Sequence, residues 1–235
     1  MPYRYMYGID LTYLFLVVPA ILICMWAQFK VKSTYAKYSR VASRSGYTAD
    51  RVARMILDSH QLYQVSIEHV SGDLTDHYDP RTRVLRLSDT VYHSNSMAAI
   101  GVAAHEAGHA CQHAESYAPL VIRNAIVPVC NFGSQLSMPV ILLGILFSSQ
   151  FLLNLGIVLF AAVTLFQLIT LPVEFNASSR AIQTLENSGM FTQEEVGTSK
   201  KVLQAAALTY VGAMLVSLMN LLRLLILFGG RRRDD

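Results

Sequence analysis

From Asn124 to Val173 the chain runs fifty residues without an Asp, Glu, Lys, Arg or His. A single spanning helix needs about 20 apolar residues. A soluble domain small enough to fit 235 residues could not wrap so long an apolar stretch. The stretch therefore predicts two membrane-spanning helices, 132–149 and 151–171, with a tight turn near Ser148-Ser149-Gln150. Composition agrees: 53% of the residues are hydrophobic and 15% charged, against about 25% charged in soluble domains.

Two further segments have the length and polarity of spans. Residues 11–28 carry no charge. Signal peptides begin basic and end at a small-residue site, whereas this segment has Arg4 and Asp10 before it and Lys30, Lys32, Lys37, Arg40 and Arg44 after it. It reads as an uncleaved transmembrane helix. Basic flanks stay on the cytoplasmic side, so residue 30 onward is expected in the cytoplasm. Residues 202–222 are also uncharged. Four spans would place Arg231-Arg232-Arg233 outside, against the basic-side preference, so this last segment is read either as a span or as a re-entrant or surface-lying helix.

The remaining polar sequence is short. Residues 48–60 predict a helix capped by Thr48, with Val52, Met55 and Ile56 as its apolar stripe. Three strand-like pieces follow at 64–70, 74–78 and 82–87, separated by the turn sequences Ser71-Gly72-Asp73 and Asp79-Pro80-Arg81. They predict a small antiparallel meander, in which 82–87 offers either a free edge to an extended substrate or an internal strand. The net charge of +3 gives no argument for nucleic acid. Cys24, Cys111 and Cys130 have no zinc-ligand or disulfide spacing and fit a reducing compartment.

All seven histidines lie between His60 and His113, and within that region stands His105-Glu106-Ala107-Gly108-His109. An Ala-rich, Pro-free run from Met97 to Ala104, with Ser94 or Ser96 at its start, predicts a helix. Residues four apart share one helix face, so His105 and His109 can share one Zn²⁺ at about 2.0–2.1 Å each. Glu106 adjoins the first ligand and is placed to act on water as general base. Catalytic zinc takes a third protein ligand. His113 is eight residues from His105, about 12 Å along a straight helix. One ion cannot bridge that distance, so His113 is a supporting, substrate-side or merely polar residue. Glu174 is the better candidate. Pro172 suits the first turn of a new helix, which would carry Glu174 near its start and Ser178 one turn on. The two spans between His109 and Glu174 return the chain to the same side of the membrane.

A Glu on a second helix completing His-Glu-x-x-His is the gluzincin arrangement. With Asp76-His77-Tyr78-Asp79-Pro80, Leu85-Arg86-Leu87-Ser88, the 105–113 run and 171–181, the chain resembles the YugP-like membrane zinc metallopeptidases, which are similar in pattern to HtpX-type membrane proteases. The resemblance covers roughly residues 45–210. In the related proteases an Asp stands four residues after the ligand Glu and orients a zinc-bound His. Here that position is Ser178, a weaker hydrogen-bond partner than a carboxylate.

These readings combine into a mainly α membrane protein: transmembrane helices with a small α+β zincin-like region containing a short antiparallel sheet. The expected segments are an N-terminal span (1–29), a zincin-like region with the motif helix (30–123), a transmembrane hairpin (124–173), a helix with the third ligand (174–201), and a C-terminal membrane segment with a basic tail (202–235). The expected function is an integral-membrane endopeptidase with one Zn²⁺ per chain on His105, His109 and Glu174, and Glu106 as base. Its partners would be a peptide or protein substrate, membrane proteins included, and the lipid bilayer. The active site would face the cytoplasm. Tyr117, Tyr78, His77 and Arg180 are candidates for steadying the oxyanion. A catalytically silent, partner-binding scaffold is the alternative, opposed by the intact Glu106. A metal transporter is a third reading, opposed by spans without ligands for an ion path.

Overall fold

The computed structural model of the protein describes residues 11–229. The flanking Arg4 and Asp10 and the basic tail Arg231–Arg233 lie outside the described residues. Among those described, the order is a π-helical turn (Tyr13–Val17), α1 (Val18–Tyr38), α2 (Ala49–Ser59), β1 (Ser66–Val70), β2 (His77–Asp79), β3 (Val84–Ser88), α3 (Met97–Ala114), α4 (Ala118–Leu146), α5 (Gln150–Asn187) and α6 (Gln193–Phe228). The chain divides into two compact units. One comprises the segments up to Gln28, Ile122–Leu171 and from Thr209 onward; the other comprises Phe29–Val121 and Pro172–Leu208.

Among the described residues, the first unit consists of helices and the turn that joins two of them. Four helices, Tyr13–Tyr38, Ala118–Leu146, Gln150–Asn187 and Gln193–Phe228, are long and apolar enough to cross a membrane. Large apolar side chains such as Phe15, Trp26, Phe132, Leu146 and Phe151 stand more than half exposed on them, as lipid-facing residues do and solvent-facing ones rarely do. The hairpin turn falls at Ser148, whose φ of 51° is left-handed. Its two arms approach through glycine: a Cβ on Gly144 would meet Leu153, and one on Gly156 would meet Ile141. Close approach at small residues is how helices associate where no hydrophobic driving force separates them from lipid. A buried bond between the Thr164 and Ser217 hydroxyls, 2.9 Å, adds a polar link between α5 and α6.

The second unit has the polar chemistry. α2 buries Ala49, Val52, Ala53, Ile56 and Leu57 against the Ala-rich face of α3. Met55 lies off this stripe and is 37% exposed, because the buried face follows the 3.6-residue period through Ala53 and Leu57 instead. Thr48 occupies the cap position of α2 in an extended conformation, without a side-chain capping bond. A capping box starts α6: Thr192 N–H donates to Glu195 (2.8 Å) and Glu195 N–H to the Thr192 hydroxyl (3.3 Å).

The sheet is mixed rather than an antiparallel meander. Its order is β1-β3-β2, with β1 parallel to β3 and β2 antiparallel to it. β3 carries Val84, Leu85 and Leu87, all buried, whereas β1 and β2 are partly exposed. The most apolar strand takes the centre, where both faces and both edges are covered. Of the two readings of 82–87, a free edge or an internal strand, the structure has the internal one; the outer edges belong to β1 and β2. Asp76 pins the entry to β2 by accepting from Ser88 N–H (2.7 Å) and the Ser88 hydroxyl (3.0 Å).

Pro172 does not begin a helix. It lies inside α5, which continues unbroken to Asn187. A proline removes one intrahelical bond, and an apolar helix has no water to replace the bonds lost by unravelling.

Candidate metal centre

α3 begins at Ser96, whose hydroxyl accepts from Ala99 N–H at 3.2 Å. Ser94 instead donates to Ser96 (3.0 Å). Small residues on α3 let two helices close in. A Cβ on Gly101 would lie 3.0 Å from Ser199 Cβ on α6, and one on Gly108 would lie 2.8 Å from the Ala177 carbonyl oxygen on α5. The second approach brings Glu174 of α5, 4% exposed, beside the motif histidines.

One ligating atom from each of His105, His109 and Glu174 lies within 4.8 Å of the others. Glu174 Oε2 is 3.2 Å from His105 Nε2 and 3.6 Å from His109 Nε2. The imidazole side chains are only 14% and 12% exposed. Their other nitrogens point away from the cluster and are bonded: His105 Nδ1 to the Ser178 hydroxyl at 3.1 Å, His109 Nδ1 to Gln112 Oε1 at 2.9 Å. Burial opposes a proton on His109, but the hydrogen bond it donates to Glu174 and the charge of Glu106 outweigh that and hold its pKa above the ordinary imidazole value. Two imidazole nitrogens and one carboxylate oxygen converging in largely buried surroundings suit Zn²⁺ in ligand type and number, and orienting partners on the remote nitrogens are what metal-binding histidines have.

Glu106 stands beside this cluster and reaches across to the sheet, accepting from Tyr78 N–H at 3.1 Å. That bond joins the outer edge of β2 to the motif helix. The Tyr78 hydroxyl bonds His113 Nδ1 at 2.9 Å, which places His113 against β2, away from the three converging groups. Arg180 is held by Glu115 (2.7 and 2.8 Å) and by Asn176 (2.8 Å). His77 is exposed, with Nδ1 bonded to its neighbour Thr75 O at 2.8 Å. Tyr117 follows the turn that ends α3, its N–H donating to Gln112 O. Cys111 is buried, and burial pushes its thiol up to about 11, so it has little thiolate character.

Sequence reasoning passed over Gln112. It lies three residues past His109 and is fully buried. Its position on the histidine face of α3 was the available signal.

Residues 13–229 match the family described as "Putative neutral zinc metallopeptidase", and the chain belongs to that family. Among curated proteins it is similar to "Putative membrane protease YugP" of Bacillus subtilis (strain 168), with 53% identity over 225 residues, 96% of this chain and 100% of that protein. No solved structure matches the chain.

Proposed function

We propose that the protein is an integral-membrane zinc endopeptidase of gluzincin type, with one Zn²⁺ per chain held by His105, His109 and Glu174. The observation that carries this reading is the convergence of these three donors on one point, with Glu106 beside them and each remote imidazole nitrogen already bonded. Zinc bound there would lower the pKa of a bound water toward about 7 and polarise a peptide carbonyl.

The chain's own groups do the rest. Glu106 accepts the proton of the attacking water and returns it to the departing amine. Glu106 need not ligate the metal for this; it has only to reach the water. The outer edge of β2 faces α3 and has backbone groups free of the sheet, so an extended peptide binds there as an added strand. Tyr78 N–H, which bonds Glu106 without substrate, is then available to the peptide or to the developing oxyanion. The basic residues after the first span favour a cytoplasmic position for this site.

The test is zinc content and cleavage of an unfolded protein substrate on one detergent-purified sample, before and after chelation. One equivalent of zinc with chelator-sensitive cleavage is expected. Stoichiometric zinc without any cleavage across varied substrates would favour a silent scaffold instead.

A further inference from the structure

Gln112 and its neighbours form a chain of hydrogen bonds whose direction can be worked out from its outer end. The guanidinium of Arg180 can only donate. Its Nε donates to Asn176 Oδ1 at 2.8 Å, so the oxygen of Asn176, not its nitrogen, faces inward. Gln112 Nε2 lies 2.8 Å from that same oxygen and 2.9 Å from the Val173 carbonyl. Both are acceptors, so the amide nitrogen of Gln112 must face them. Its Oε1 is left facing His109 Nδ1 at 2.9 Å. An amide oxygen can only accept, so Nδ1 carries a proton, and Nε2 is the nitrogen left to take a metal ion or, without one, to donate to Glu174.

His105 has no such constraint. Its partner is the Ser178 hydroxyl, which rotates and can donate or accept. The two histidines are thus held differently: His105 by a group that adapts, His109 by a polarity set three hydrogen bonds away, at Arg180. Gln112 is 0% exposed, so water cannot substitute for any partner it loses. At the rim, the ion pair with Glu115 holds Arg180 in place.

Resting on the reading of His109 as a zinc ligand, we infer that Gln112 is the residue that positions it, and that Arg180 and Asn176 act through Gln112 by fixing the direction of its amide. Arg180 is then part of the metal-binding apparatus and not an oxyanion donor.

The chemistry separates this role from mere packing. Only the oxygen of Asn176 is used, so Asn176→Asp supplies everything the chain requires, whereas Asn176→Leu, similar in size, supplies nothing. Partners of metal-bound histidines typically contribute about 10–100-fold to metal affinity. Zinc affinity of the full-length protein in detergent, read by chelator competition, is expected to fall by about that factor for Gln112→Leu and Asn176→Leu and to stay near wild type for Asn176→Asp. The visible spectrum of the cobalt(II)-substituted protein should shift in the two Leu variants and not in Asn176→Asp. Circular dichroism of the metal-free samples checks that each is folded. A folded Gln112→Leu with wild-type zinc affinity overturns the inference. So does an Asn176→Asp as weak as Asn176→Leu, since that would mean shape rather than hydrogen-bond direction matters. Wild-type protein that takes up no zinc at all overturns the parent reading itself.

Discussion

A Cβ on Gly108 would sit 2.8 Å from the carbonyl oxygen of Ala177. The neighbour is backbone and cannot turn aside, so the contact sets how near α5 comes to α3 and how far Glu174 reaches. Gly to Ala in a helix is ordinarily worth about 1 kcal/mol in favour of Ala. Here that gain is offset by overpacking of about 1–3 kcal/mol. Gly108→Ala is expected to weaken zinc binding by at least tenfold, roughly one displaced contact's worth, although it alters no ligand. Metal titration and thermal melting of the variant check this; unchanged zinc affinity would show that α5 is not held at this point.

Glu106→Gln preserves size and removes the base. Glu106 leaves α3 about 100° around the axis from His105, so zinc content should stay at the wild-type level. Turnover should fall by about 10²–10⁴, the usual contribution of general acid–base catalysis, or more because one residue serves twice. Full zinc with full turnover would remove Glu106 from the mechanism.

Glu174→Ala and His113→Ala should separate cleanly. Losing Glu174 removes one of three proposed ligands, and both zinc and rate are expected to disappear. His113 is bonded to Tyr78 and lies about 12 Å along the helix axis from His105, so its loss should leave zinc intact. Metal analysis of the purified variants would sink the ligand set if the pattern were reversed.

Asp73 lies exposed in the loop between β1 and β2. A single cysteine there, in a background without Cys24, Cys111 and Cys130, should resist a membrane-impermeant thiol reagent in intact cells and react after lysis. Labelling of intact cells would place the site outside.

Asp76 tests the electrostatics beside Glu106. Burial raises its pKa, the two Ser88 bonds oppose that, and the charge of Glu106 adds to the rise. The folded state therefore holds this proton at higher pH than the unfolded chain does. The stabilisation is complete below the ordinary carboxylate value of about 4 and is lost as pH rises through the higher folded value. The Tm of wild type relative to Asp76→Asn should increase as pH is lowered from about 7 toward about 4. A difference independent of pH would contradict the raised value.

The chain's local patterns were sufficient for a good part of this protein. Fifty uncharged residues require membrane helices, since no small soluble fold can cover them. The spacing of His105 and His109 requires one helical face, and helix rise alone separates His113 from them. These properties depend on residues near one another in sequence and on the fixed geometry of a helix. The strand order was not legible in the same way. Periodicity marks Leu85 and Leu87 as one buried face of 82–87, but not that Val84 and Ser88 on the other face are covered too, nor that this strand lies between β1 and β2; that depends on which strand gains most from being covered on both edges. Pro172 misleads for a similar reason: its local preference for a helix start yields to the bonds of the long helix around it. Gln112 and Arg180 were invisible as a pair because Asn176, the residue whose side-chain oxygen joins them, lies 64 residues from one and four from the other. Sequence alone determined the class of protein and marked out the motif proposed to bind metal; only the tertiary structure decided which groups bond the remote nitrogens of its histidines, because those partners are brought together through packing.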